Sequence, residues 1–104
     1  MIDSEKYCKI CEKYGLYKQQ KEDTIYYKLL NESKHFICRR NSRGFVFVAL
    51  GTEIEDGELI TKGDYILEAK SEIEMEEFIE LALKHYKRIL IEYRKNQMEV
   101  DFVK

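Results

Sequence analysis

Within residues 3–14, Tyr7, Ile10, Cys11 and Tyr14 recur at i, i+3, i+4 and i+7, the spacing of one apolar stripe on a helix. Asp3 or Ser4 supplies an N-cap oxygen, and Gly15 supplies a residue that can turn left-handed and end the helix. The pattern then changes. A basic, polar stretch runs to Asp23. The run Thr24-Ile25-Tyr26-Tyr27-Lys28-Leu29-Leu30 is rich in β-branched and aromatic residues, and Asn31–Lys34 reads as a turn before His35-Phe36-Ile37-Cys38-Arg39. Together these predict a hairpin. Asn41-Ser42-Arg43-Gly44 is a second turn, and Phe45-Val46-Phe47-Val48-Ala49-Leu50 is apolar at every position. Such a run predicts a strand at the middle of the sheet, covered on both faces or nearly so. Glu58–Thr61 and Tyr65–Glu68 fit one or two further short strands around Lys62-Gly63-Asp64.

Ser71-Glu72-Ile73-Glu74 is a capping box, which opens a helix by satisfying two backbone amides reciprocally. Behind it Phe78, Ile79, Ala82, Leu83, Tyr86, Ile89, Leu90 and Tyr93 fall at helical spacing, with Glu76, Glu80, Lys84, Lys87 and Arg88 opposite. This predicts a long helix lying on a core by one side and ending near Asn96. Met98, Val100 and Phe102 alternate with polar neighbours, so the tail is expected as an edge strand or extended segment. The expected fold is α+β: an N-terminal helix, an antiparallel sheet of three to five strands, and a long C-terminal helix packed on one face. The 104 residues suit a single domain, residues 1–104.

Composition adds little to that picture, but charge adds more. The longest apolar run, Phe45–Leu50, is far too short to cross a membrane, and the first residues lack a secretory signal pattern. A cytoplasmic protein with reduced thiols is therefore expected, and three cysteines cannot all pair within one chain. The formal net charge of −2 argues against a dedicated nucleic-acid binder. Its distribution is uneven. Residues 1–52 carry ten basic and six acidic side chains, residues 53–80 two and eleven, and residues 81–104 six and three. The acid block predicts a negative surface that attracts a basic partner. It also has an ordinary explanation, in acids that complement a helix N-terminus and keep a small protein soluble.

Chemistry-bearing patterns are few. Cys8 and Cys11 form a C-x2-C, and His35 and Cys38 an H-x2-C, four zinc-type ligands in all. Cys11 falls on the apolar stripe of the first helix, however, and residues three apart on a strand point to opposite faces, so no metal is expected and the four remain an alternative. Neither His35 nor His85 stands at a motif spacing from a nucleophile, and the glycines form no phosphate loop. No catalytic residue and no cofactor are expected. Arg39, Arg40 and Arg43, with Tyr26, Tyr27 and Phe36 nearby, compose a small basic and aromatic set of the kind that binds single-stranded nucleic acid. The competing explanation is a hairpin edge charged against aggregation.

Over its whole length the chain resembles the small immunity proteins of bacterial polymorphic-toxin and contact-dependent growth inhibition systems. The resemblance lies in size, in the hairpin-like core FVFVALGTEIEDGELI and in the closing helix SEIEMEEFIELALKHYKRIL behind an acidic surface. It implies a non-enzymatic inhibitor whose carboxylates meet Lys and Arg of a cationic toxin domain, often a nuclease. The expected footprint is Glu53, Glu55, Asp56, Glu58, Glu72, Glu76 and Glu80, with Tyr65 as an aromatic anchor. The alternatives are a phage anti-defence inhibitor of the same physical type and a small zinc- or RNA-binding regulator.

Overall fold

The computed structural model describes residues 2–30, 35–55, 58–61 and 66–103. Helix α1 covers Ser4–Lys13. Asp3 caps it, its Oδ1 accepting from the Lys6 amide at 3.0 Å, a bond to the ionised form that holds the Asp3 carboxyl below its ordinary value. The helix closes with a Schellman arrangement, in which the Leu16 amide donates to the Cys11 carbonyl and the Gly15 amide to the Glu12 carbonyl. Gly15 sits at φ 72° with open space around it. Gly15→Ala therefore meets no steric obstacle but a left-handed backbone, and is expected to destabilise by about 1 kcal/mol, measurable by urea denaturation.

Among the described residues seven strands follow: β1 Tyr17–Lys21, β2 Thr24–Lys28, β3 Cys38–Arg40, β4 Val46–Ala49, β5 Thr52–Glu55, β6 Glu58–Thr61 and β7 Ile66–Ala69. Five make an antiparallel sheet in the order β1-β2-β3-β4-β7, and β5 with β6 makes a separate two-stranded hairpin. The expected hairpin of residues 24–39 is the β2–β3 pair. One expectation is corrected. The central strand is β3, not the apolar β4, because an additional strand, β1, extends the sheet on the far side of β2. All five residues of β1 are exposed, so no hydrophobic alternation marks it. The last strand, β7, pairs with β4 and not with the segment before it. The predicted turns at residues 31–34 and 62–64 lie outside the described residues.

Helix α2 runs from Glu72 to Val103. The predicted capping box is present: the Glu74 amide donates to Ser71 Oγ at 3.1 Å, and the Lys70 amide donates to Glu74 Oε1 at 3.0 Å. The helix does not stop near Asn96, and the tail is neither strand nor extended. No glycine or proline follows Asn96, and adding a residue to an existing helix avoids the cost of nucleation. Among the described residues no helix is long and apolar enough to cross a membrane.

The two helices cover one face of the sheet. Tyr27, Cys38 and Val48 lie opposite one another on that face, as do Val46 and Ala69, and they bury against Tyr7, Ile10 and Cys11 of α1 and Met75, Ile79 and Ala82 of α2. Tyr7 joins the layers most directly. Its ring meets the Tyr27 ring edge-on at 5.5 Å, and its hydroxyl donates to the Ile25 carbonyl at 2.8 Å.

Candidate functional site

The acid block is divided by the fold. Glu53 and Glu55 point outward from β5, while Thr52 is buried and Ile54 half-buried. Glu72, Glu76 and Glu80 line a seam between the helices. Glu72 pairs with Lys6 at 3.6 Å, Glu76 with Lys13, and Glu80 accepts from the Tyr14 hydroxyl at 2.9 Å. Partial burial and the Glu80 hydrogen bond push the Tyr14 hydroxyl up to about 12. Exposed pairs of this kind contribute about 0–1 kcal/mol each, but they occupy carboxylates that the sequence offers to a partner. Asp56 and Tyr65 lie outside the described residues, and Glu58 is placed only by its backbone pairing with Glu55.

The four-ligand zinc alternative finds no common point. Cys11 and Cys38 are fully buried in the core and Cys8 is half-buried. Burial raises the Cys11 thiol far above its ordinary value and makes it a poor nucleophile. His35 precedes β3 and does not lie on it. Among the described residues no group of three or more His, Cys, Asp or Glu is placed to hold a metal ion. His85 has a structural use: Arg88 donates to its Nδ1 at 3.2 Å, which leaves Nε2–H to donate to the Thr52 carbonyl at 2.8 Å and tie β5 to α2.

The sheet face turned away from the helices is the most developed surface. In an antiparallel sheet with one covered face, the other normally carries polar side chains. Here a transverse row, Gln19, Tyr26, Arg39, Phe47 and Glu68, crosses all five strands as directly opposed residues. At about 4.8 Å between strands the row is about 19 Å long. The Arg39 guanidinium lies 5.4 Å from the Phe36 ring centre and 4.8 Å from that of Phe47, held between two aromatic faces by cation–π attraction. Its Nε is buried with no hydrogen-bond partner. The rings, not hydrogen bonds at that atom, fix the group. Tyr26 and Phe36 stand 5.5 Å apart at 54° and wall a shallow hollow of about 250 Å³, completed by Gln19, Lys21 and Lys28. Tyr17, 47% exposed, lies opposite Lys28 on the same face, and Phe45, 37% exposed, continues the alternation of β4.

The basic and aromatic set read from the sequence is thus half assembled. Tyr26, Phe36 and Arg39 come together. Tyr27 and Arg40, one position along, turn to the other face, where Tyr27 is buried and Arg40 Nε donates to the Ile2 carbonyl at 3.0 Å. Arg43 is exposed in the turn after β3. Gln19, Lys21 and Tyr17 were not legible, because their contribution depends on β1 being a strand. Comparison with protein-family models, with curated proteins and with solved structures finds no match for this chain.

Proposed function

We propose that this chain is a non-enzymatic binding protein that holds an extended, anionic partner against the open face of its five-stranded sheet. The observation that carries the reading is the transverse row with Arg39 fixed between Phe36 and Phe47. It sets a cation between half-buried aromatic rings, beside a hollow flanked by Lys21 and Lys28. Arg, Tyr and Phe in one patch are what binding surfaces concentrate, because they give large contact area at low entropic cost. Aromatic rings left partly open on a sheet face mark interaction sites when they group together.

A second reading rests on a separate observation. Glu53 and Glu55 remain outward-facing on β5, so an inhibitor of a cationic toxin domain would use the hairpin, with Glu72, Glu76 and Glu80 reduced to a supporting role beside α1.

Retention on immobilised heparin, a sulfated polyanion, tests the first reading. Lys21→Glu with Lys28→Glu is expected to abolish retention at low salt, while Lys84→Glu with Lys87→Glu, the same charge change on α2, is expected to leave most of it. Equal losses from the two pairs, or no retention of the unaltered protein, would refute the assignment of the surface.

A further inference from the structure

We infer that the partner of the open sheet face is single-stranded nucleic acid, with unpaired bases stacking on Tyr26 and Tyr17 and the phosphates meeting Lys21, Lys28 and Arg39. This deepens the reading above and rests on it. An extended anionic partner has two main sources, a nucleic-acid strand or an acidic peptide, and the open face distinguishes them. An acidic peptide needs cations and little else. It would leave unused the aromatic walls of the hollow, where Tyr26 and Phe36 lie 5.5 Å apart, and the exposed ring of Tyr17. A single strand uses both kinds of group at once, because every base has a face to stack and every link has a phosphate to neutralise.

The order of groups across the sheet fits that alternation. On β1 and β2, Tyr17 opposes Lys28, Gln19 opposes Tyr26 and Lys21 opposes Thr24. Aromatic and cationic or amide groups therefore adjoin on neighbouring strands, all facing one way. Gln19 carries both a donor and an acceptor at the rim of the hollow, the pair of functions that reads an unpaired base edge. The guanidinium of Arg39, 5.4 and 4.8 Å from the Phe36 and Phe47 ring centres, carries several donors, so a phosphate can be met while those contacts are kept. A row of about 19 Å suits a site on the order of 4 nucleotides, at the short end for single-strand-binding folds.

The surplus of acid in the whole chain does not oppose this, because much of the described acid block is set elsewhere. Glu72, Glu76 and Glu80 face α1, and Glu53 and Glu55 belong to the separate hairpin. Within the transverse row the acidic group is Glu68, at the β7 end. Charge on this face is therefore positive from β1 to β3, and the phosphate contacts are expected to concentrate on that part of the row.

Fluorescence anisotropy with a labelled single-stranded oligouridylate, an oligodeoxythymidylate, an RNA duplex and a polyglutamate peptide tests the inference. The single strands are expected to bind, and the duplex and peptide to bind at least about 10-fold more weakly. Tyr26→Ala is expected to weaken single-strand binding by about 10-fold or more, on the scale of one lost base stack. Tyr26→Phe should restore it. Gln19→Ala, at an exposed edge position, is expected to weaken oligouridylate binding while leaving circular dichroism unchanged. Peptide binding as tight as that of the single strands would overturn the nucleic-acid inference and leave the open face as an anion-binding surface. Single-strand binding insensitive to Tyr26→Ala, Gln19→Ala and Arg39→Lys would overturn the inference and the surface together.

Discussion

Replacing Tyr7 by alanine is expected to lower stability by about 3–5 kcal/mol, the range for removing a fully buried aromatic ring. Tyr7 is completely inaccessible, packs edge-on against Tyr27 and carries the hydroxyl that bonds α1 to the Ile25 carbonyl of β2. The loss has three parts: the apolar area of the ring, the cavity left between α1 and the sheet, and the hydrogen bond to the Ile25 carbonyl. Tyr7→Phe separates the last part and is expected to cost about 1 kcal/mol. A domain of this size has roughly 5–15 kcal/mol in total, so the alanine variant should approach the limit of folding at physiological temperature. Urea denaturation followed by circular dichroism measures both. A Tyr7→Ala loss below about 1 kcal/mol would mean that α1 is an appendage and not a wall of the core.

Binding of a single strand is expected to fall steeply with salt. Each neutralised phosphate on a single strand contributes about −0.7 to the slope of log affinity against log salt. Contacts from Lys21, Lys28 and Arg39 then predict a slope near about −2, and a loss of roughly 20-fold between about 50 and 200 mM salt. Arg39→Ala should reduce the slope by about 0.7, while Tyr26→Ala should lower affinity at every salt concentration and leave the slope unchanged. That contrast assigns the two residues to phosphate and base respectively. A slope unaffected by Arg39→Ala would remove the guanidinium from the contact.

How much of this was legible in the sequence depended on whether an element advertises itself by burial. Helix α1, the β2–β3 pair, β4 and the start of α2 have apolar periodicity or a capping box, and these set the α+β architecture. Strand β1 has neither. Its residues are all exposed, its turn through Glu22 at φ 57° lacks the glycine that flags tight hairpins, and without β1 the hollow loses Gln19 and Lys21. The acid block was legible as composition and misleading as a surface. Lys6, Lys13 and Tyr14, which occupy Glu72, Glu76 and Glu80, lie about sixty residues away along the chain, so their pairing is a tertiary fact. The period of two in a strand accounts for the rest. Tyr26 and Tyr27, or Arg39 and Arg40, look equivalent in sequence, and each pair is split between the open face and the helix-covered face.

The length of α2 has a mechanical and hydrodynamic consequence. At 1.5 Å per residue its 32 residues reach about 48 Å, nearly the whole 53 Å long axis of a molecule about 25 Å across. Among its described side chains, the fully buried ones, Met75, Ile79 and Ala82, all lie in its first half. The radius of gyration, 15.0 Å, exceeds the roughly 13 Å of a compact chain of this size. The protein therefore tumbles as a short rod, slower about its transverse axes than its mass implies. The helix also acts as a lever arm: a tilt of about 5° at Ala82 displaces its far end, about 32 Å away, by about 3 Å. A spin or fluorescent label at Lys95 would thus magnify any shift in how α2 seats on the sheet, including one transmitted through the sheet from a ligand on the opposite face.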